Sequence, residues 1–264
     1  MEMRVLLSTD VSVPTDSSRN AHADHASATG STEVDLDIAY GLPELTAGTP
    51  HIRSNFVASV DGAIEIDGRS GGLGGPADLR VFRALRWLAD VVLVGAGTVR
   101  TEDYGPVPVP AARQEIRVAA GLAPIPPVAV VSGRLDLDPD ARLFGGAVRP
   151  LVLTCEAAPI ELRRALEPVA DVVSCGELTV EPAAVLAALA ERGLLRVLTE
   201  GGPTLHSQLA RAGLLDEVCV TLAPVLAGPA RLGMMAGASW TAPQHLRLLH
   251  VLEENGSLFL RFGR

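Results

Sequence analysis

From residue 51 onward, short apolar runs rich in Val, Leu and Ile alternate with longer amphipathic stretches. Runs at 52–59, 91–95, 128–132, 150–154, 171–174 and 196–199 have the length and composition of strands. Between them, residues 76–89 place Leu79, Phe82, Leu85 and Leu88 on one helical stripe, with Pro76 suited to the first helical position. Helices are also predicted over 158–166, 182–192 and 203–212, the last two closed by Gly193 and Gly213. Such alternation predicts a mostly parallel sheet covered on both faces. After residue 213 the rhythm changes: 217–222, 246–252 and 258–262 read as strands without intervening helices, the last two joined by a turn at Glu254, Asn255 and Gly256. An antiparallel edge is therefore expected to finish the sheet. No fixed-period repeat interrupts this α/β pattern.

Residues 8–48 lack any sustained period and are rich in Ser, Thr, Asp, Ala and Gly. The chain thus divides into a flexible amino-terminal segment, 1–48, and one domain, 49–264. His22 and His25 lie in the first part without helical context and read as solvated side chains, not as metal ligands.

Composition narrows the function classes. The 264 residues carry 31 acidic side chains against 22 basic ones, all arginine, for a net charge of −9. An acidic chain without a basic face is unsuited to binding a nucleic-acid backbone. The absence of lysine excludes Schiff-base chemistry, pyridoxal phosphate attachment and the Walker A phosphate loop. Cys155, Cys175 and Cys219 form no Cys-x-x-Cys pair, so neither a disulfide framework nor a metal site is expected. No apolar run approaches the roughly 18 residues needed to span a bilayer, and the first residues are too acidic for a signal peptide, so a cytoplasmic protein without a membrane partner is expected.

The candidate chemistry gathers at strand ends. Gly95 and Gly97 follow the run at 91–95, where a backbone without Cβ atoms can approach a ligand and the next helix start offers N–H groups to an anion. A Rossmann fingerprint does not fit, because its third glycine falls at Arg100 and no acid follows a second strand at the required distance. Gly201 and Gly202 stand between the run at 196–199 and a helix begun by Pro203, beside Glu200, which can either bond a ligand or cap a helix. Both strand ends lie on the carboxyl side of a parallel sheet, the edge at which such sheets bind ligands. In the first strand, alternation puts Asn55, Val57, Ser59 and Asp61 on one face. The glycine-rich stretch 67–76 that follows reads as a mobile flap or a linker.

Taken in order, these segments resemble the pyrimidine reductase family of riboflavin biosynthesis, which shares the dihydrofolate reductase fold. The resemblance runs from about residue 52 to the carboxyl terminus. Its markers are Ser59-x-Asp61-Gly62, Leu85-Arg86-x-x-Ala89-Asp90, Val94-Gly-x-Gly-Thr-Val99, Glu200-Gly-Gly-Pro-Thr-Leu205 and Ala223-Pro-x-Leu-x-Gly228. It implies NADPH as hydride donor, with Gly95, Gly97, Thr98 and Val99 at the pyrophosphate, Ser132 and Arg134 near the 2′-phosphate, and Gly201, Gly202, Thr204 and Leu205 closing around the cofactor. It also implies a substrate held near Asn55, Ser59 and Asp61, and a homodimer.

The chain departs from the family pattern where a Ser-x-Trp-Ile segment becomes Gly72-Leu-Gly-Gly75 and where Glu102-Asp-Tyr-Gly-Pro-Val-Pro-Val109 replaces a stretch whose arginine is expected to hold the substrate's ribose phosphate. No fused zinc deaminase motif is present. The acceptor implied is 5-amino-6-(5-phosphoribosylamino)uracil, with dihydrofolate or another pterin as the related choice. A non-catalytic NADP(H)-binding or sensor protein is the contrasting class. For catalysis, Asp61 is expected to orient the substrate and relay a proton, with Glu200 second, because a carboxyl group at a strand end under a closed flap is favoured in its protonated form.

Overall fold

The strands and helices anticipated from residue 51 onward form around ten hydrogen-bonded strands in one sheet of the computed structural model. It describes residues 2–9, 34–229, 232–237, 240 and 242–264. In chain order the strands are β1 (Arg4–Ser8), β2 (His51–Ser59), β3 (Val91–Gly95), β4 (Val128–Val131), β5 (Leu151–Thr154), β6 (Asp171–Ser174), β7 (Arg196–Thr199), β8 (Glu217–Ala223), β9 (Arg247–Glu254) and β10 (Ser257–Gly263). The helices are α1 (Leu36–Tyr40), α2 (Pro76–Trp87), α3 (Ala96–Thr101), α4 (Ala111–Ala119), α5 (Ile160–Leu166), α6 (Pro182–Ala190) and α7 (Pro203–Arg211).

Their order across the sheet is β1-β9-β10-β8-β2-β7-β3-β4-β5-β6. The run from β8 to β6 is parallel throughout, and β10, β9 and β1 add antiparallel pairs at one edge. This is the mostly parallel sheet with an antiparallel edge that the pattern and the resemblance imply. Central strands such as β3 are apolar on both faces because helices cover both: Val91 to Val94 are all fully buried. One core lies between the sheet and α6 and α7, a second between the sheet and α2, and a smaller third gathers Leu135, Val152 and Leu166 around β5 and α5.

Two findings correct the reading of residues 1–48 as a flexible segment. Arg4–Ser8 pairs with β9 as the edge strand, and α1 packs Tyr40 to 1% exposure, its ring edge-on to His250 at 5.0 Å between centroids. Side chains distant in sequence hold α1 down: Arg53 donates to Tyr40 O at 2.7 Å and Arg261 to Ala39 O at 2.9 Å. His22 and His25 lie outside the described residues.

A third correction concerns α2. Its buried face is Ala77, Val81, Ala84, Leu85 and Arg86, whereas Leu79 is 44% exposed. Leu79 and Phe82 instead line a cleft at the carboxyl ends of the parallel strands, which leaves apolar surface for something other than the core.

Candidate active site

The cleft has a volume of about 800 Å³, within the range of small-molecule and cofactor sites. Its floor is built by the two glycine-bearing strand ends. Gly95 N–H donates to Gly201 O at 2.7 Å, which ties the exits of β3 and β7 together. The peptide bond between Gly201 and Gly202 is cis. A Cβ on Gly202 would stand 2.7 Å from Thr98 Oγ1, and one on Gly201, at φ +89°, would stand 2.9 Å from the Phe56 ring. Side chains at these positions would therefore fill the floor or collide with it. Gly97 faces open space. Neither α3 nor α7 has a side chain capping its first N–H groups, and Gly95, Gly97, Thr98, Gly202 and Thr204 line the cleft around those helix starts. Val99 and Leu205 are buried behind them as packing.

A nicotinamide dinucleotide fits this arrangement: glycines permit close backbone approach, and uncapped amide groups suit its pyrophosphate. Asn55, at 8% exposure, also lines the cleft, and its Oδ1 has no hydrogen-bond partner among the described residues. A buried acceptor in that condition is costly unless a ligand satisfies it.

The structure does not bring every expected residue to the cleft. Ser59 is fully buried; its hydroxyl donates to Asp61 Oδ1 at 2.5 Å and accepts from Ala63 N–H at 2.9 Å, closing the turn after β2. Asp61 is exposed and takes the amides of Ala227 and Gly228 at 3.1 and 2.9 Å. Donation from Ser59, and then from Ala227, lowers its pKa. The role expected for Asp61 is thereby corrected: it is an ionised clasp between two loops, outside the cleft, and not a protonated acid inside it. Ser132 is buried at the end of β4 with its N–H given to Leu153 O, and Arg134 is exposed nearby; neither lines the cleft.

Glu200 does line the cleft, but its oxygens are engaged. Arg86 Nε and Nη2 donate to them at 2.6 and 2.7 Å, and Tyr104 Oη donates to Oε2 at 2.7 Å. The Arg86 guanidinium is further sandwiched against Phe82 and Tyr104, 4.0 and 5.4 Å from their ring centres. This buried network fixes α2, the exit of β7 and the segment after α3 against one another.

Among the acids that line the cleft is Asp78, in the first turn of α2, which the sequence reading passes over. Burial raises its pKa, and a hydrogen bond from the Thr221 hydroxyl on β8 only partly opposes that rise. Gly74 makes room for it, since a Cβ there would stand 2.5 Å from Asp78 Oδ2. Asp78 precedes Leu79 and Phe82, the apolar residues of α2 that line the cleft, and the helical spacing alone does not show that this stripe meets a cleft.

Two segments enclose the cleft. Ser70 N–H donates to Glu102 Oε1 at 2.8 Å, which pins the glycine-rich stretch to the end of α3. On the other side Ile64 N–H donates to Leu232 O, Ala236 N–H to Pro203 O, and the buried His206 places Nδ1 3.0 Å from Met234 O. Leu232 thereby becomes part of the lining.

Comparison with known proteins agrees with this geometry. Residues 50–255 match the family model described as the RibD C-terminal domain. The chain is 34% identical over 180 residues to the 2,5-diamino-6-ribosylamino-4(3H)-pyrimidinone 5′-phosphate reductase of Archaeoglobus fulgidus, covering 68% of this chain and 82% of that one. It is 35% identical over 189 residues to the riboflavin biosynthesis protein RibD of Mycobacterium tuberculosis, covering 71% of this chain and 46% of the longer relative. Among solved structures, a pyrimidine reductase-like protein from Corynebacterium diphtheriae superposes with a TM-score of 0.77 at 28% identity, over 86% of this chain and 97% of the other. Among the described residues no group of His, Cys, Asp or Glu is placed to hold a metal ion, and no helix is long and apolar enough to cross a membrane.

Proposed function

The chain belongs to the riboflavin-biosynthesis pyrimidine reductase family, and on that premise we propose that it reduces an amino-substituted pyrimidine, or a related pterin-like ring, with NADPH as hydride donor. The acceptor favoured by the names of its relatives is a ribosylaminopyrimidine phosphate. The observation that carries the reading is one cleft holding both a glycine floor suited to a dinucleotide and, on α2, the partly buried carboxyl group of Asp78.

When bound, the dihydronicotinamide supplies a hydride to carbon. Reduction of a C=N bond then needs a proton at nitrogen, and Asp78 is the group suited to hold it. Burial favours its neutral form, so it keeps a proton at higher pH than a solvated aspartate does. Lining the cleft, its carboxyl group is placed to meet the ring's amino and imino nitrogens. Asn55 Oδ1 accepts a further N–H from the acceptor or from the carboxamide of the cofactor. Arg134, exposed just past β4 on the same edge of the sheet, is the proposed donor to the 2′-phosphate that distinguishes NADPH from NADH.

The test is NADPH oxidation, followed by absorbance, across a panel containing the ribosylaminopyrimidine phosphate, dihydrofolate and simpler pterins. Asp78→Asn is expected to lower turnover on the true acceptor by roughly 10²-fold and to leave NADPH affinity nearly unchanged. Because burial raises the pKa of Asp78, its ionisation above that pKa opposes folding, so the same variant is expected to melt no lower than the wild type at neutral pH. Wild-type turnover in Asp78→Asn would remove the role assigned to this residue.

A further inference from the structure

Most of the charge lining the cleft is acidic: Glu65, Asp78, Glu102, Asp103 and Glu200 contribute carboxylates. Among the described residues only two cations line it, Arg86 and Arg142. Arg86 is committed to Glu200 within a buried network and has little capacity for a ligand. Arg142 differs in every respect. It rises from a single 3₁₀ turn, Arg142–Gly145, and its side chain is 66% exposed. Its Nη1 pairs at 2.7 Å with Asp103, which is itself 60% exposed. An exposed pair of this kind contributes little, so an incoming oxyanion displaces Asp103 at small cost. The guanidinium fork then offers two parallel donors to a phosphate or carboxylate.

The arginine lies against the segment after α3: a Cβ on Gly105 would stand 2.7 Å from Arg142 Nη2, so the glycine leaves the guanidinium room at the mouth. Residues 104–108, against which Arg142 lies, pack on α2: Arg86 stacks over Tyr104, and Trp87 Nε1 donates to Pro108 O at 3.3 Å. Arg142 therefore stands on the wall shared with Asp78 and Phe82, whereas the dinucleotide floor is formed by Gly95, Gly97 and Gly202.

We infer that Arg142 is the specificity residue that holds an oxyanion carried by the tail of the acceptor, releasing Asp103 as it does so. This inference rests on the reductase reading above. The shared chemistry is an oxyanion, and its two sources are a sugar phosphate and a carboxylate tail.

Calorimetry on the NADP⁺-saturated protein separates them, with ribose 5-phosphate and p-aminobenzoylglutamate as probes. Arg142→Gln is expected to weaken whichever probe binds by about 10-fold or more, with partial recovery in Arg142→Lys. Asp103→Asn should act in the opposite direction and tighten the same probe by about threefold, because the competing carboxylate is gone. Asparagine tolerates the φ of +49° at that position, so the backbone is kept. Binding of ribose 5-phosphate in this pattern supports a phosphate tail, and binding of p-aminobenzoylglutamate supports a carboxylate tail. If neither probe binds, if binding is indifferent to Arg142, or if Arg142→Gln instead erases the preference for NADP⁺ over NAD⁺, the inference is overturned. Arg142-dependent anion binding without NADPH oxidation on any acceptor would count against the reductase reading alone. Turnover with anion binding indifferent to Arg142 would count against this inference alone.

Discussion

Asp61 and Glu200 both lie at the ends of parallel strands, yet what their oxygens touch gives them different work. Asp61 is solvated and bonded to a hydroxyl and two amides, all of which favour its ionised form. Glu200 neutralises a buried arginine. Asp61→Asn is therefore expected to keep near-wild-type turnover, whereas Glu200→Gln leaves Arg86 buried without its counter-charge and should cost about 3–5 kcal/mol of stability. Chemical denaturation of both variants, beside their turnover, checks the contrast; a large kinetic loss in Asp61→Asn with intact folding would contradict it. Asn55 and the glycines were legible because a polar side chain or a missing Cβ at a strand end is visible along one segment. Asp78 was not, because its importance comes from Thr221, 143 positions later in the chain, and from the space left by Gly74. Spacing along a helix shows which residues share a stripe; it does not show whether that stripe meets the core or a cleft.

At the scale of elements, α4 shows how a polar helix can be held without an apolar stripe. Its anchor is Arg117, 1% exposed, whose guanidinium donates to the carbonyls of Trp87, Ala89 and Ala123 at 2.5, 3.0 and 2.8 Å. Burial lowers its pKa to about 10, so it stays charged at neutral pH. It thereby satisfies carbonyls that α2 leaves without partners at its carboxyl end. Arg117→Met should leave those carbonyls buried and unpaired, lowering stability by about 3 kcal/mol in urea denaturation with NADPH affinity nearly unchanged. A loss under about 1 kcal/mol would mean that solvent reaches them in the variant. The same physics explains which elements the hydrophobic pattern announced. Strands β3, β4 and β5 and helices α6 and α7 bury their own apolar residues, and all were legible. The short β1 and α1 are held by edge pairing and by arginines from elsewhere, and α4 by its own buried arginine; a local hydrophobic pattern has no means of showing any of these.

Across the whole molecule, one carboxylate joins the amino-terminal elements to the sheet. Glu217 opens β8 and is 6% exposed; Arg53 of β2 donates to it at 2.6 Å, and Arg261 of β10 at 2.7 and 2.9 Å. The same two arginines reach the carbonyls that end α1, so a parallel strand, an antiparallel strand and a helix nearly 180 residues upstream of Glu217 meet at one charge cluster. Burial alone would push the Glu217 carboxyl up, but His51, Arg261 and Arg53 outweigh burial and hold its pKa far below the usual carboxylate range. A depressed folded-state pKa contributes stability that is present above the unfolded value of about 4.3 and is lost as pH falls below it. Glu217→Gln keeps the shape, removes the charge and leaves two arginines without their shared partner, a loss of about 3 kcal/mol or more at neutral pH. Thermal melts should show a gap between wild type and variant that is constant from neutral pH down to about 5. Below about pH 4 that gap should narrow, by up to roughly 1.4 kcal/mol for each pH unit, as the unfolded glutamate takes up its proton. Proteolysis at neutral pH should cut the variant first near α1, because the arginines that hold its carbonyls are no longer fixed by Glu217. A gap that stays constant to pH 3, or cleavage that begins elsewhere, would show that α1 is held by its apolar contacts and not by this cluster.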